Sequence, residues 1–380
     1  MPAIPYLKKR IGDSYLVWFE NSNMYFQLEK PAWFVFRKIV DRCKTATIAH
    51  VFAIRYGIPP DESLIFVKDI RAEIERMNKK EAAQKQTSLV SGELNTHIFI
   101  PYSIRQYSLG NQLISFSYES RLFEHYLHPL MAHFETQEKS PGMPLFELFD
   151  HQGHIVFRFN GEVKGIWTKE ETNFVKGLIF MFLLNVMHGK TDADWLMTVH
   201  ASAITNGSKT ILFSAAPGKG KTTIAALLQA RGYRLISDDF VPIERSTFCA
   251  YPFPIAMSVK EGSMDLLTSL YPGLEQKTLN YITPEKSVRY LPPFHHPDVT
   301  NDIYPVKEFI FIQYDSSVDF IFEKLDPLKA IKLLFEEAWI APSQGNATLL
   351  FDWITQISFY QLTYSNNQKA LDGITNLFRM

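Results

Sequence analysis

The sequence predicts an α/β protein, α+β overall: a winged-helix-like domain of one hairpin and three helices, then a larger α/β domain. Three observations predict it. Two β-rich runs, "SYLVWFE" and "MYFQLE", flank the polar turn Asn21-Ser22-Asn23 and lead into three helical stretches. The polar, aperiodic stretch "NKKEAAQKQTSLVSGE" (78–93) then interrupts the pattern as a linker. Beyond it, the order strand, small-residue turn, helix, strand across residues 209–237 is that of an open α/β sheet.

The expected boundaries are therefore 1–77, a linker over 78–93, and 94–380 with its core at 196–265. Pro31 opens the first helix, "PAWFVFRKIVD", because a missing N–H costs nothing at the first helical position. "TIAHVFAIRYG" follows, then "DESLIFVKDIRAEIERM", which sets Leu64, Val67, Ile70, Ile74 and Met77 on one stripe. After the linker come the β-rich runs "THIFIPYSIRQYSLGNQLISFSY" and "HIVFRFNGEVKGIW", then a helix near 169–188. Its apolar run "GLIFMFLLNVM" is about half of a membrane span, which makes it a buried helix. A strand at "VKEFIFIQYD" and helices near 327–341 and 367–379 complete the expected elements.

Composition excludes several classes of function. The 380 residues suffice for two or three domains. A net charge of −1 and a pI near 6.8 supply no basic field for nucleic acid or an anionic membrane surface. Cys43 and Cys249 are too few for a disulfide framework and lack ligand spacing. "MPAIPYLKKRIGDSY" has no apolar signal-peptide core, so a cytoplasmic location is expected. The oligomeric state stays open, a homo-oligomer included.

The chemistry concentrates in "FSAAPGKGKTTIAALLQARGYRLISDDFVPIE" (213–244). A phosphate-binding loop reads G-x-x-x-x-G-K-[ST], but its first position here is Ala215. A bare G-K-[ST] arises by chance roughly 0.2 times in a chain of this length, so context decides. "KTILF" is a buried-type strand, Ala215 to Gly220 form the turn, and Ile224, Leu227 and Leu228 give the following helix its apolar face. That arrangement aims backbone N–H groups at an anion. Ala216, Pro217, Gly218, Lys219, Gly220, Lys221, Thr222 and Thr223 are the expected phosphate cradle. Lys221 is expected on the β- and γ-phosphates and the Thr222 hydroxyl on Mg²⁺. The alternative is a glycine-rich turn with a solvated lysine. The next strand, "YRLIS", ends in Asp238-Asp239, seventeen positions after Lys221. Two acids at that sheet edge suit metal binding and proton abstraction; a plain solvated turn is the alternative. His200, in "MTVHASAI", precedes the loop strand and is read as either structural or site-lining.

Taken together, "TVHASAI" and the loop segment resemble the HPr kinase/phosphorylase family, whose P-loop fold is of the phosphoenolpyruvate-carboxykinase type. The likeness covers roughly 190–265. It implies an ATP- and Mg²⁺-dependent kinase with Asp238 as catalytic acid–base, Asp239 beside it as metal or support group, and His200 lining the phosphate site. Lys221 belongs to the same catalytic set. "FPIAMSVKEGSMDLL" resembles a further family segment and would bring Lys260 to the site, and Arg289 is a candidate phosphate clamp. Ala215 and Pro217 depart from the family loop, and no E-x-R-G stretch is present.

Residues 5–77 resemble the PqqD-like peptide-recognition domain of ribosomal peptide modification systems, which adds a leader peptide to its hairpin edge as an extra strand. A DNA-reading winged helix is disfavoured, because 61–77 is mixed in charge and has no one-sided basic face. The expectation is a kinase for a serine or threonine hydroxyl on a captured precursor peptide. Its rivals are a small-molecule kinase, such as the dephospho-coenzyme A kinases with their comparable Asp, and a nucleotide-binding peptide scaffold without transfer.

Overall fold

The computed structural model describes residues 4–79, 91–283, 286–294 and 303–379, so most of the expected linker lies outside the described residues. The protein is of mixed α/β class and divides into two units. One comprises 1–84 with 326–356, the other 85–325 with 357–380. The domain expected over 94–380 is thus interrupted, because Asp326–Gln356 clusters with the first unit.

In the first unit three strands, β1 (Tyr6–Ile11), β2 (Ser14–Phe19) and β3 (Met24–Glu29), form an antiparallel sheet with β2 in the centre. Helices α1 (Lys30–Val40), α2 (Thr45–Tyr56) and α3 (Pro60–Met77) follow. The expected two-stranded hairpin has a third strand, β1, whose "YLKKRI" carries the cationic side chains common on exposed edges. Val17, Phe19, Trp33, Phe36, Phe52 and Val67 form the core beneath one face. The other face is covered too. Tyr25 packs 4.6 Å from the ring of Phe335 and edge-on to Phe351, in helices Pro327–Glu337 and Gln344–Ile354. Lys9 reaches Asp352 at 3.0 Å. The unbroken apolar run "LVWF" of β2 fits a strand buried on both faces.

The second unit holds a six-stranded sheet over which Thr172–His188 packs as a buried helix, as its apolar run implied. Among the described residues no helix is long and apolar enough to cross a membrane. A larger sheet carries the loop strand Thr210–Ser214, paired in parallel with Tyr304–Tyr314, which in turn runs parallel to Ser358–Tyr364. Ser202–Thr205 lies antiparallel to the loop strand on one side and to Arg234–Ser237 on the other. Two reversals bring the carboxyl ends of the loop strand and of Arg234–Ser237 to one edge. A third sheet, Met257–Lys260, Lys286–Leu291 and Asn280–Thr283, stands beside them.

Candidate functional site

The expected loop joins the strand Thr210–Ser214 to the helix Lys221–Ala230. Gly218 and Gly220 have φ of +83° and +99°, which explains glycine at both. At Gly220 a Cβ would also lie 2.8 Å from the Tyr364 hydroxyl. The Lys219 carbonyl accepts from the Tyr314 amide at 3.0 Å, fixing the turn to the neighbouring strand. Ala215 is buried and is not among the positive-φ residues, so alanine fits where the motif has glycine. Ala216, Pro217, Gly218 and Lys219 are exposed, and Pro217 does not fill the turn. The Thr223 hydroxyl bonds Ser263 at 2.6 Å and so faces away from a phosphate cradle.

Asp238 and Asp239 are neighbours in sequence and opposites in surroundings. Asp238 is 1% exposed, accepts from the Ser202 hydroxyl, and accepts from the Thr222 hydroxyl at 3.1 Å. Burial and the charge of Asp239 push its carboxyl above the usual range. Asp239 adopts φ +69°, a left-handed conformation that aspartate tolerates, and its side chain is 43% exposed. Lys221 forms an ion pair with it, and His200 Nε2 lies 3.3 Å away. Burial would raise the Asp239 carboxyl, but Lys221 and His200 outweigh it and hold it well below the usual range.

Lys221, Thr222, His200 and both acids therefore converge, as the sequence implied. Their pairing differs from the expected one: Thr222, assigned with Asp239 to the metal, donates to Asp238 instead. The left-handed turn at Asp239 swings its side chain away from its neighbour. Lys260 approaches both acids, whose charges act on its ammonium group. Arg289 does not join them. It donates to the Lys277 carbonyl at 3.2 Å and alternates with Tyr290 onto the other face of its strand. Ser202 was missed, although the alternation in "HASAI" places it inward two residues after His200. Thr222 Oγ1 and Asp238 are hard oxygen donors suited to Mg²⁺ completed by phosphate and water.

In the first unit, a groove of about 470 Å³ runs between β3 and α3, lined by Phe26, Leu28, Phe66, Ile70 and Met77.

No protein-family model and no curated protein matches the chain. Among solved structures it is similar to the HPr(Ser) kinase/phosphatase from Coxiella burnetii, at 12% identity and a TM-score of 0.21, covering 48% of this chain and 93% of that one.

Proposed function

We propose that the second unit transfers the γ-phosphoryl group of MgATP to a serine or threonine hydroxyl of a precursor peptide captured by the first. The observation that carries this reading is Lys221, at the start of a helix capped by a left-handed Gly220, lying against two adjacent acids. Exposed amides of the loop receive the phosphate chain at the helix N-terminus. Lys221 exchanges Asp239 for the β- and γ-phosphates. Thr222 and Asp238 would hold Mg²⁺, which neutralises charge on the phosphates. Asp239, the acid open to the cleft, orients the acceptor hydroxyl and takes its proton as the new O–P bond forms and the bond to ADP breaks. When Lys221 turns to phosphate, Asp239 loses its strongest cationic partner and becomes a better base. His200 remains beside it to hold its orientation.

For capture, a peptide strand added to the outer edge of β3 would lay alternate side chains into the groove against α3. Linkage of the two units raises the local peptide concentration into the millimolar range, on the order of short flexible tethers.

Incubation with labelled ATP and the short peptides encoded beside the gene tests the reading. Label on a peptide supports it. Label on a metabolite favours a small-molecule kinase, and label on neither leaves a binding scaffold.

A further inference from the structure

One face of the third sheet is richer in cations than nucleotide binding by the loop explains. Lys260 lies directly opposite Val288, and Ser258 opposite Tyr290, so these side chains share a face with Lys286, two residues before Val288. The other face carries Met257, Val259 and Leu291 into the core that also holds Ile224 and Leu228 of the loop helix. The lysine-bearing face instead packs Val288 and Tyr290 into the core with Val175 and Ile179 of the buried helix. That helix contributes Lys176. Its ammonium group sits 5.3 Å over the ring of Phe180, which packs edge-on to Phe240, the residue after Asp239.

Lys176, Lys260 and Lys286, from one helix and two strands, thus lie near one another, and the charge of Asp239 acts on the first two. Among the described residues no carboxylate makes an ion pair with any of them. Burial lowers Lys176 and Lys260; Lys286 lowers both further, and Asp239 draws both back up. Lys260 also feels Lys221, whereas Lys176 feels Asp239 and Lys286 only. Further along the sheet, Asn280 and Tyr290 line a cavity of about 460 Å³ with Arg121, Glu124, His125 and His128, and none of the three lysines lines it. Tyr290 links the two regions, since burial first and the charge of Asp239 second push its phenol up to about 12.

We infer that this face is the acceptor side of the cleft, where Lys176, Lys260 and Lys286 hold an oxyanion, phosphate or carboxylate, carried by the acceptor beside its hydroxyl. The inference rests on the twin acids being the transfer centre. Like charges gathered without an ion-pair partner repel one another, and a charge-assisted contact to an oxyanion offsets that repulsion while fixing the hydroxyl's approach.

The test uses the full-length protein saturated with MgAMP-PNP, so that the loop is filled, and titrates it calorimetrically with inorganic phosphate and, separately, acetate. At least one anion is expected to bind saturably, and Lys176→Met and Lys286→Met are each expected to weaken it about tenfold. Their affinity for MgAMP-PNP should stay within about twofold of the parent, because neither lysine serves the loop. Stronger binding of phosphate assigns a phosphorylated acceptor; stronger binding of acetate assigns a carboxylate. Lys286, exposed on its strand, keeps the test informative should Lys176→Met fail to fold. Absence of binding by either anion overturns the inference, as do variants that bind both anions as the parent does. Variants that lose MgAMP-PNP in step with the anion also overturn it, by placing the lysines in the nucleotide site. A parent chain that never takes up MgAMP-PNP overturns the kinase reading and this inference with it.

Discussion

The cleft around Asp238 and Asp239 and the groove between β3 and α3 are built from opposite materials. The cleft gathers two acids, a lysine, a histidine and two hydroxyls within hydrogen-bonding or ion-pairing distance of one another. The groove is lined largely by apolar and aromatic side chains beside an edge strand. Charge that must be held in place requires a rigid frame, and here the sheet edge and the helix start supply it. Backbone pairing and shape suffice for an extended peptide, and the glutamates that line the groove, Glu29 and Glu73, are not needed for that. Under the proposed function, the difference means that chemistry and recognition are separable in this chain, so each should fail alone.

The largest expected effect sharpens that separation on the chemical side. Asp239→Asn removes the base but no nucleotide contact, so transfer should fall by about 10²–10⁴-fold while MgATP affinity stays near the parent value. Rapid-quench transfer assays beside equilibrium titrations measure the two. Near-normal transfer would return the base role to Asp238. Lys221→Ala should cost transfer about 10²–10³-fold and, unlike Asp239→Asn, weaken nucleotide binding as well. On the recognition side, Ile70→Glu places a charge in the groove; peptide affinity should drop about tenfold or more with nucleotide affinity untouched. Loss of nucleotide binding in that variant would break the comparison. Gly220→Ala forces a Cβ onto the Tyr364 hydroxyl at a positive φ, and about 1–3 kcal/mol of stability should be lost. Thermal unfolding reads this directly.

The smallest expected effect is on pH. Asp238 is raised by burial and by Asp239, so its ionised form is lost at a higher pH than an ordinary aspartate's. Mg²⁺-dependent nucleotide affinity should therefore decline on mild acidification, before other carboxylates titrate. In Asp238→Asn that dependence should be flat at a lower affinity. A parent profile that stays level until strongly acidic pH would remove Asp238 from the metal site.

The loop was legible because its parts are contiguous: strand, turn and helix lie within 209–232, and two glycines mark the places where φ turns positive. The convergence of His200 with the acids was legible through resemblance. What stayed hidden depends on pairing across distance. Ser202 meets Asp238 only because an antiparallel strand intervenes between the loop strand and Arg234–Ser237. Lys176 lies in a helix that reads as plain core, and nothing local marks it as facing a cleft. β1 escaped notice because its lysines and arginine mask a strand pattern. The helix Gln344–Ile354 and its place with the first unit follow from the packing of Phe351 on Tyr25, which no local periodicity encodes.

That double burial of β2 has a bearing on synthesis. The residues that cover Tyr25 emerge some three hundred positions later, after most of the second unit. Until then a nascent chain carries an uncovered aromatic sheet face, which invites chaperone contact or misassociation. A fragment cut at the linker would keep that liability permanently. A soluble fragment of the first unit must bring 326–356 along, joined by a new connection.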